Sequence, residues 1–226
     1  SMRRDFISNL SHELRTPVSV IRANSETLID GALEDKKQAK VFAKAILHNS
    51  ERLSDMVSSL LDLTRIEYGE LKLNFQNINL NEFIENFILS ISNLSKKKNI
   101  NIQYKPSHIG DINADPQAIE RILNNLVDNA IKYSKEDSQI VISTIDDSDD
   151  HIKVMVEDNG PGISDEDQDY IFGRFFRTAS ARATDNQGSG LGLAIVKHLV
   201  NSLNGEVGID SAPGKGSVFW FTIPKL

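Results

Sequence analysis

Cysteine is absent from the 226 residues, which excludes a disulfide framework and a thiolate metal site and suits a reducing compartment. No apolar run approaches the roughly 20 residues of a membrane span, and no signal-peptide pattern opens the chain, so the portion given is expected to be soluble and cytoplasmic. The five histidines are scattered, without the spacing of metal ligands. Basic residues are in the minority, 25 against 32 acidic, and the net charge of −7 argues against nucleic acid as a general partner, because phosphate contacts need clustered Lys and Arg. What is present is an ordinary 39% of hydrophobic residues, enough at this length for one large domain or two small ones. Ser1-Met2 precedes a segment already helical in pattern, so the natural protein is expected to begin farther upstream.

That first segment, about 3–31, holds Ser11-His12-Glu13-Leu14-Arg15-Thr16-Pro17. A helix turns about 100° per residue, so Leu10, Val18, Ile21, Ser25 and Leu28 fall within about 40° of Leu14 and make a seam for another helix. His12 and Thr16 point the opposite way, with Glu13 beside the histidine. A lone exposed His is ordinarily a surface residue, but Pro17 sets this one apart: it cannot donate to the carbonyl of Glu13 and should kink the backbone next to His12. A zinc-protease reading fails because Thr16 stands where the second His is needed.

Gly31 is a plausible helix stop, and a polar connection over 32–36 leads to a second helix, about 37–68. It carries Phe42, Ile46, Asn49, Leu53, Met56, Leu60 and Leu63 at heptad spacing. Two such helices joined by a short loop form an antiparallel hairpin that leaves much apolar surface wet, and the simplest remedy is a homodimeric four-helix bundle. Asn49 at a seam position fits either register selection or a solvated polar layer. After Gly69 the period changes. A strand is expected at 71–75, a helix at 80–94, a strand at 100–104, and a helix at about 115–133 opened by Asp115-Pro116. Strands at 139–145 and 152–156 flank an acidic turn at 146–150, and 206–209 with 217–223 form a final hairpin around Pro213-Gly214-Lys215-Gly216. This order implies an α+β sandwich with one sheet covered by helices on one face. The stretch 158–189 is too long to be a mere connection.

Three stretches of the second half can meet a nucleotide. Asn125, Asn129 and Lys132 share a stripe beside the apolar face of their helix. Alone they fit an ordinary polar flank, but amide oxygens with a nearby cation also suit a Mg²⁺-nucleotide wall. Asp158-Asn159-Gly160-Pro161-Gly162 follows a strand directly; it reads as a turn, or as a carboxylate aimed at an exocyclic amine such as that of adenine. Gly188-Ser189-Gly190-Leu191-Gly192 precedes a helix over 193–203 and offers backbone amides to phosphate, although it is neither a Walker loop nor a dinucleotide fingerprint. Between the glycine clusters, Phe172, Phe175 and Phe176 could anchor a lid whose charged remainder, with Arg174, Arg177 and Arg182, stays mobile.

Taken together and in order, these stretches resemble the sensor histidine kinases of two-component systems. Residues 11–17 look like the H box, 125–130 the N box, 158–162 the G1 box, 172–177 the F box and 188–192 the G2 box. The resemblance implies a dimerisation and histidine-phosphotransfer hairpin at 1–68, followed by a catalytic ATP-binding domain of the Bergerat type at 69–226, a fold shared with gyrase B and MutL. By motif position His12 would be the phosphoacceptor, with Asn129 the main Mg²⁺ ligand and Asn125 assisting. Lys132 and Tyr133 would contact the nucleotide, Asp158 would read adenine, and Gly160 and Gly162 would flank the base. Arg177 would face the phosphates, and Gly188, Gly190, Leu191 and Gly192 would line the triphosphate. Arg121, four residues before Asn125, has no role in this scheme.

Neutral imidazole is a nucleophile available at neutral pH. Glu13 is expected to accept a hydrogen bond from Nδ1 of His12, so that Nε2 attacks the γ-phosphorus of ATP in line. The family pattern then transfers the phosphoryl group to an aspartate of a response-regulator receiver domain, with Thr16 placed to orient a water for dephosphorylating that partner. Family members are often membrane receptors, and attachment would come through upstream segments. Two rival functions keep part of the pattern: a Bergerat-fold ATPase clamp, which gives His12 no task, and a nucleotide-sensing dimeric scaffold without chemistry.

Overall fold

The computed structural model describes residues 2–96, 98–147, 150–184 and 188–226, with side chains described at all of these except 2–6, 67, 93–96, 183 and 184. Helix α1 (Met2–Ile29) runs through Pro17 without interruption and stops just before Gly31, whose φ of 125° favours glycine. A single 3-10 turn, Ala32–Glu34, occupies the connection. Asp35 caps α2 (Lys36–Glu67) by accepting from the N–H groups of Lys37 and Gln38. The two helices pack along each other as the spacing requires. Met56 and Leu63 are buried, whereas Val18, Val41, Leu47, Val57 and Leu61 remain exposed on the hairpin.

The expected strand at 71–75 does not form. The N–H of Asn74 donates to the Asp115 carboxylate at 2.7 Å rather than to a neighbouring strand, while Leu71 and Leu73 still pack on the core. The strand begins later, as β1 (Gln76–Ile78), and pairs antiparallel with β3 (Ile112–Ala114), which the sequence did not announce. Between them lie α3 (Leu80–Lys96) and β2 (Asn101–Lys105). Asp115 caps α4 (Pro116–Tyr133) through the N–H groups of Gln117 and Ala118, with Pro116 in the first turn.

The main sheet contains β2, β4 (Gln139–Asp146), β5 (His151–Asp158), β7 (Ser217–Pro224) and β6 (Val207–Ser211), in that order. The β2–β4 pairing is parallel, and the β4–β5, β5–β7 and β6–β7 pairings are antiparallel. On β5, Ile152, Val154 and Val156 are buried while Lys153 and Met155 on the other face are half-exposed, so one face carries the core. That face is covered by α3, α4 and α7 (Gly192–Ser202). Two short helices, α5 (Asp165–Gln168) and α6 (Ala179–Thr184), break up the 158–189 stretch. Within the expected acidic turn, residues 148 and 149 lie outside the described residues, as do 185–187 of the expected lid.

Hairpin and sheet domain share one continuous apolar cluster, because Met56 and Leu63 of α2 join it where α2 meets α7. Asp62 of α2 forms an ion pair and hydrogen bond with Arg121 of α4 beside this contact. Burial lowers the pKa of the Arg121 guanidinium.

Candidate active site

A cavity of about 290 Å³ opens between α4, the turn after β5, the segment around α6 and the glycine turn before α7. It brings together Asn125, Asn129, Lys132, Tyr133, Asp158, Gly162, Arg177, Gly188, Gly190 and Gly192. Two residues expected there, Gly160 and Leu191, do not line it. The Gly160 N–H donates to Asp158 Oδ1 at 2.7 Å, and Leu191 is fully buried.

Helix periodicity aims the α4 stripe at the cavity while Leu123, Leu126 and Ala130 enter the core. Asn125 Nδ2 donates to the Arg121 carbonyl at 2.8 Å, which turns Oδ1 toward Gly192. A Cβ on Gly192 would lie 2.8 Å from that oxygen, and one on Gly188 would lie 2.6 Å from Lys132 Nζ. The glycines therefore leave the room in which the helix side chains meet the turn. Gly190 has a different task. With φ of 68° it accepts from the Phe175 N–H at 2.8 Å, tying the turn to the phenylalanine segment. Phe172 in turn stacks edge-on against Phe219 of β7, with ring centroids 6.4 Å apart. Arg177 lines the cavity while its Nη2 donates to the Ala181 carbonyl at 2.6 Å.

Asp158 is 6% exposed at the end of β5. Burial pushes its carboxyl up to about 6, against the opposing pull of backbone N–H bonds from Gly160 and Ser217. Ser217 is a residue that sequence reasoning missed. It pairs with Asp158 across the β5–β7 ladder and lines the cavity. The available signal is its place directly after the glycine turn ending at Gly216, a turn whose pattern shows only a hairpin. Asp128, Thr178 and Ser180 also line the cavity, and no sequence pattern singles them out.

His12, Glu13 and Thr16 do not line this cavity. His12 is exposed on α1, as its position opposite the seam requires. The Thr16 hydroxyl donates to the His12 carbonyl at 3.3 Å. Glu13 is half-buried, and its Oε2 lies 3.7 Å from Nη2 of Arg52 on α2.

The fold defines a class first: a helical hairpin joined to an α/β sandwich whose cavity is walled by an asparagine-bearing helix and a glycine turn. Residues 114–226 match the model of the histidine kinase-, DNA gyrase B- and HSP90-like ATPases, and residues 2–69 match the His Kinase A (phospho-acceptor) domain. The chain belongs to the sensor histidine kinases of two-component systems. It is 36% identical over 225 residues to the sensor-like histidine kinase SenX3 of Mycobacterium tuberculosis, covering 99% of this chain and 54% of that protein. It is 33% identical over 224 residues to the sensor histidine kinase WalK of Bacillus subtilis, covering 98% of this chain and 36% of that protein. The chain thus spans about half or less of these relatives. Among solved structures, histidine kinase ThkA in complex with the response regulator protein TrrA superposes with a TM-score of 0.80 at 28% identity, covering 98% of this chain and 61% of that one. Among the described residues, no helix is long and apolar enough to cross a membrane.

Proposed function

We propose that this chain is the catalytic core of an ATP-dependent protein-histidine kinase, with residues 1–68 carrying the phosphoacceptor His12 and residues 69–226 binding ATP. The observation that carries this reading is the pairing of an exposed imidazole on α1 with one cavity that gathers ten of the residues assigned to the nucleotide.

The Asp158 carboxylate accepts from the exocyclic amine of adenine. The glycine turn and Lys132 hold the phosphates, and Arg177 faces them. Asn129, assisted by Asn125, would hold Mg²⁺, for which neutral amide oxygens beside bound phosphates and waters are suitable partners. The ion would supply charge neutralisation on the phosphates. His12 Nε2 attacks the γ-phosphorus, an N–P bond forms as the bond to the bridging oxygen breaks, and ADP leaves. In the reacting complex Glu13 accepts from the Nδ1–H of His12, whereas in the structure the two side chains are not hydrogen-bonded and Glu13 Oε2 faces Arg52. The phosphoryl group then passes to an aspartate of a receiver domain, in keeping with the response regulator bound to the similar kinase ThkA. Thr16 orients a water for a separate phosphatase step, in which that water attacks the receiver's aspartyl phosphate and inorganic phosphate and the free aspartate are released. The exposed apolar residues of the hairpin support pairing with a second copy as a four-helix bundle.

Incubation with radiolabelled ATP and Mg²⁺ tests the reading. The protein should acquire an acid-labile, alkali-stable phosphate that His12→Gln abolishes. Release of inorganic phosphate without self-labelling would instead mark an ATPase clamp.

A further inference from the structure

Arg52 lies on α2 between the heptad positions Asn49, Leu53 and Met56, yet its side chain is only 11% exposed. A guanidinium has five N–H donors and remains charged throughout the range in which proteins fold. Its Nε is buried and has no hydrogen-bond partner. Its ion pair with Glu13, at 3.7 Å, is looser than a charge-assisted hydrogen bond of about 2.8 Å. Burying a cation with so little compensation is costly, and an apolar side chain would serve packing better.

The surroundings supply a reason for the charge. Arg52 shares a cavity of about 180 Å³ with His48, Asp55, Met56 and Ser189. Ser189 belongs to the glycine turn and lines the larger nucleotide cavity as well. On one side, then, Arg52 reaches the carboxylate adjacent in sequence to the phosphoacceptor. On the other it faces the turn assigned to the triphosphate.

We propose that Arg52 is a positioning residue for histidine phosphorylation, holding Glu13 so that the α1 turn bearing His12 is set against the glycine turn. The inference rests on the kinase reading above. A guanidinium fork can fix a carboxylate in both distance and angle, and misplacement of a reacting group by about 1 Å can slow a reaction about a hundredfold.

The experiment uses the full chain and compares Arg52→Gln, Arg52→Lys, Glu13→Gln and the Arg52→Gln/Glu13→Gln double variant. The measurements are the initial rate of His12 phosphorylation at saturating ATP, the KM for ATP, the affinity for a non-hydrolysable ATP analogue, and thermal unfolding. Arg52→Gln should lower the rate about tenfold or more, with KM and analogue affinity within about twofold of the parent. Arg52→Lys, which keeps the charge, should recover a measurable part of the lost rate. The double variant should be no slower than the slower single variant, because both changes break one contact. The proposal is overturned if Arg52→Gln labels His12 at the parental rate or if the two effects multiply. It is equally overturned if analogue affinity and unfolding temperature fall together with the rate. An unlabelled parent protein would defeat the kinase reading itself, whereas a labelled parent with an equally labelled Arg52→Gln variant would defeat only the role of Arg52.

Discussion

Replacing Asp158 by asparagine should make the protein more stable while weakening its hold on adenine nucleotides. The carboxyl is pushed from the ordinary 3.8 up to about 6 by burial, and a shift of roughly two units corresponds to about 3 kcal/mol between its two protonation states. Between pH 3.8 and about 6 the folded protein binds more protons at this site than the unfolded chain, so stability declines as pH rises through this window. Above it, the full penalty of an ionised buried group is present. A neutral amide in place of the carboxylate would carry no such penalty, which is already net of the Gly160 and Ser217 N–H bonds, but fitting its NH₂ group beside those donors costs about 1–2 kcal/mol. The expected net gain near pH 7.5 is therefore about 1–2 kcal/mol, or a few degrees in Tm, shrinking as pH falls toward 4. Nucleotide affinity should move the other way, by about tenfold to a hundredfold, because the amide would turn its NH₂ toward the adenine amine. Thermal unfolding of parent and variant across pH, with calorimetric titration of an ATP analogue, measures both. A variant that is less stable than the parent at pH 7.5 and binds nucleotide equally well would refute the reasoning.

Other perturbations follow from single contacts. Gly162→Ala should destabilise the fold by about 2 kcal/mol or more in denaturant titration, because its φ is 72° and a Cβ would lie 1.9 Å from the Ala212 carbonyl oxygen. Gly192→Ala meets only the Asn125 side chain; it should leave unfolding nearly unchanged and weaken ATP-analogue binding. Leu63→Ala should cost about 2–4 kcal/mol and raise hydrogen exchange where α2 meets α7, since Leu63 is 1% exposed in the cluster common to hairpin and sheet domain. Thr16→Ala should spare autophosphorylation and reduce dephosphorylation of the receiver partner, measured from its purified phosphorylated form.

Local chemistry was the most legible part of the sequence. The heptad spacing of α2, the stop at Gly31 and the Asp115-Pro116 helix start depend on residues within a turn or two of each other, and each appears where its spacing places it. The 71–75 stretch misled because Leu71 and Leu73 alternate like a strand, whereas the structure gives the Asn74 N–H to the remote Asp115 side chain. Strand β3 is too short to register as a pattern. For the candidate site, the glycine clusters and the asparagine stripe could be read because each is continuous or periodic along the chain. Ser217 could not, since its link to Asp158 is made by pairing between distant strands. Arg121 and Arg52 were opaque for the same reason: their partners, Asp62 and Glu13, lie on other helices. Charge pairing across elements leaves no period in the sequence.

The most direct measurement is residue-level mapping of phosphate, under neutral conditions, after the protein has turned over ATP. The account predicts phosphate on the imidazole of His12. ATP turnover by folded protein with phosphate on another residue, or on none, would contradict it.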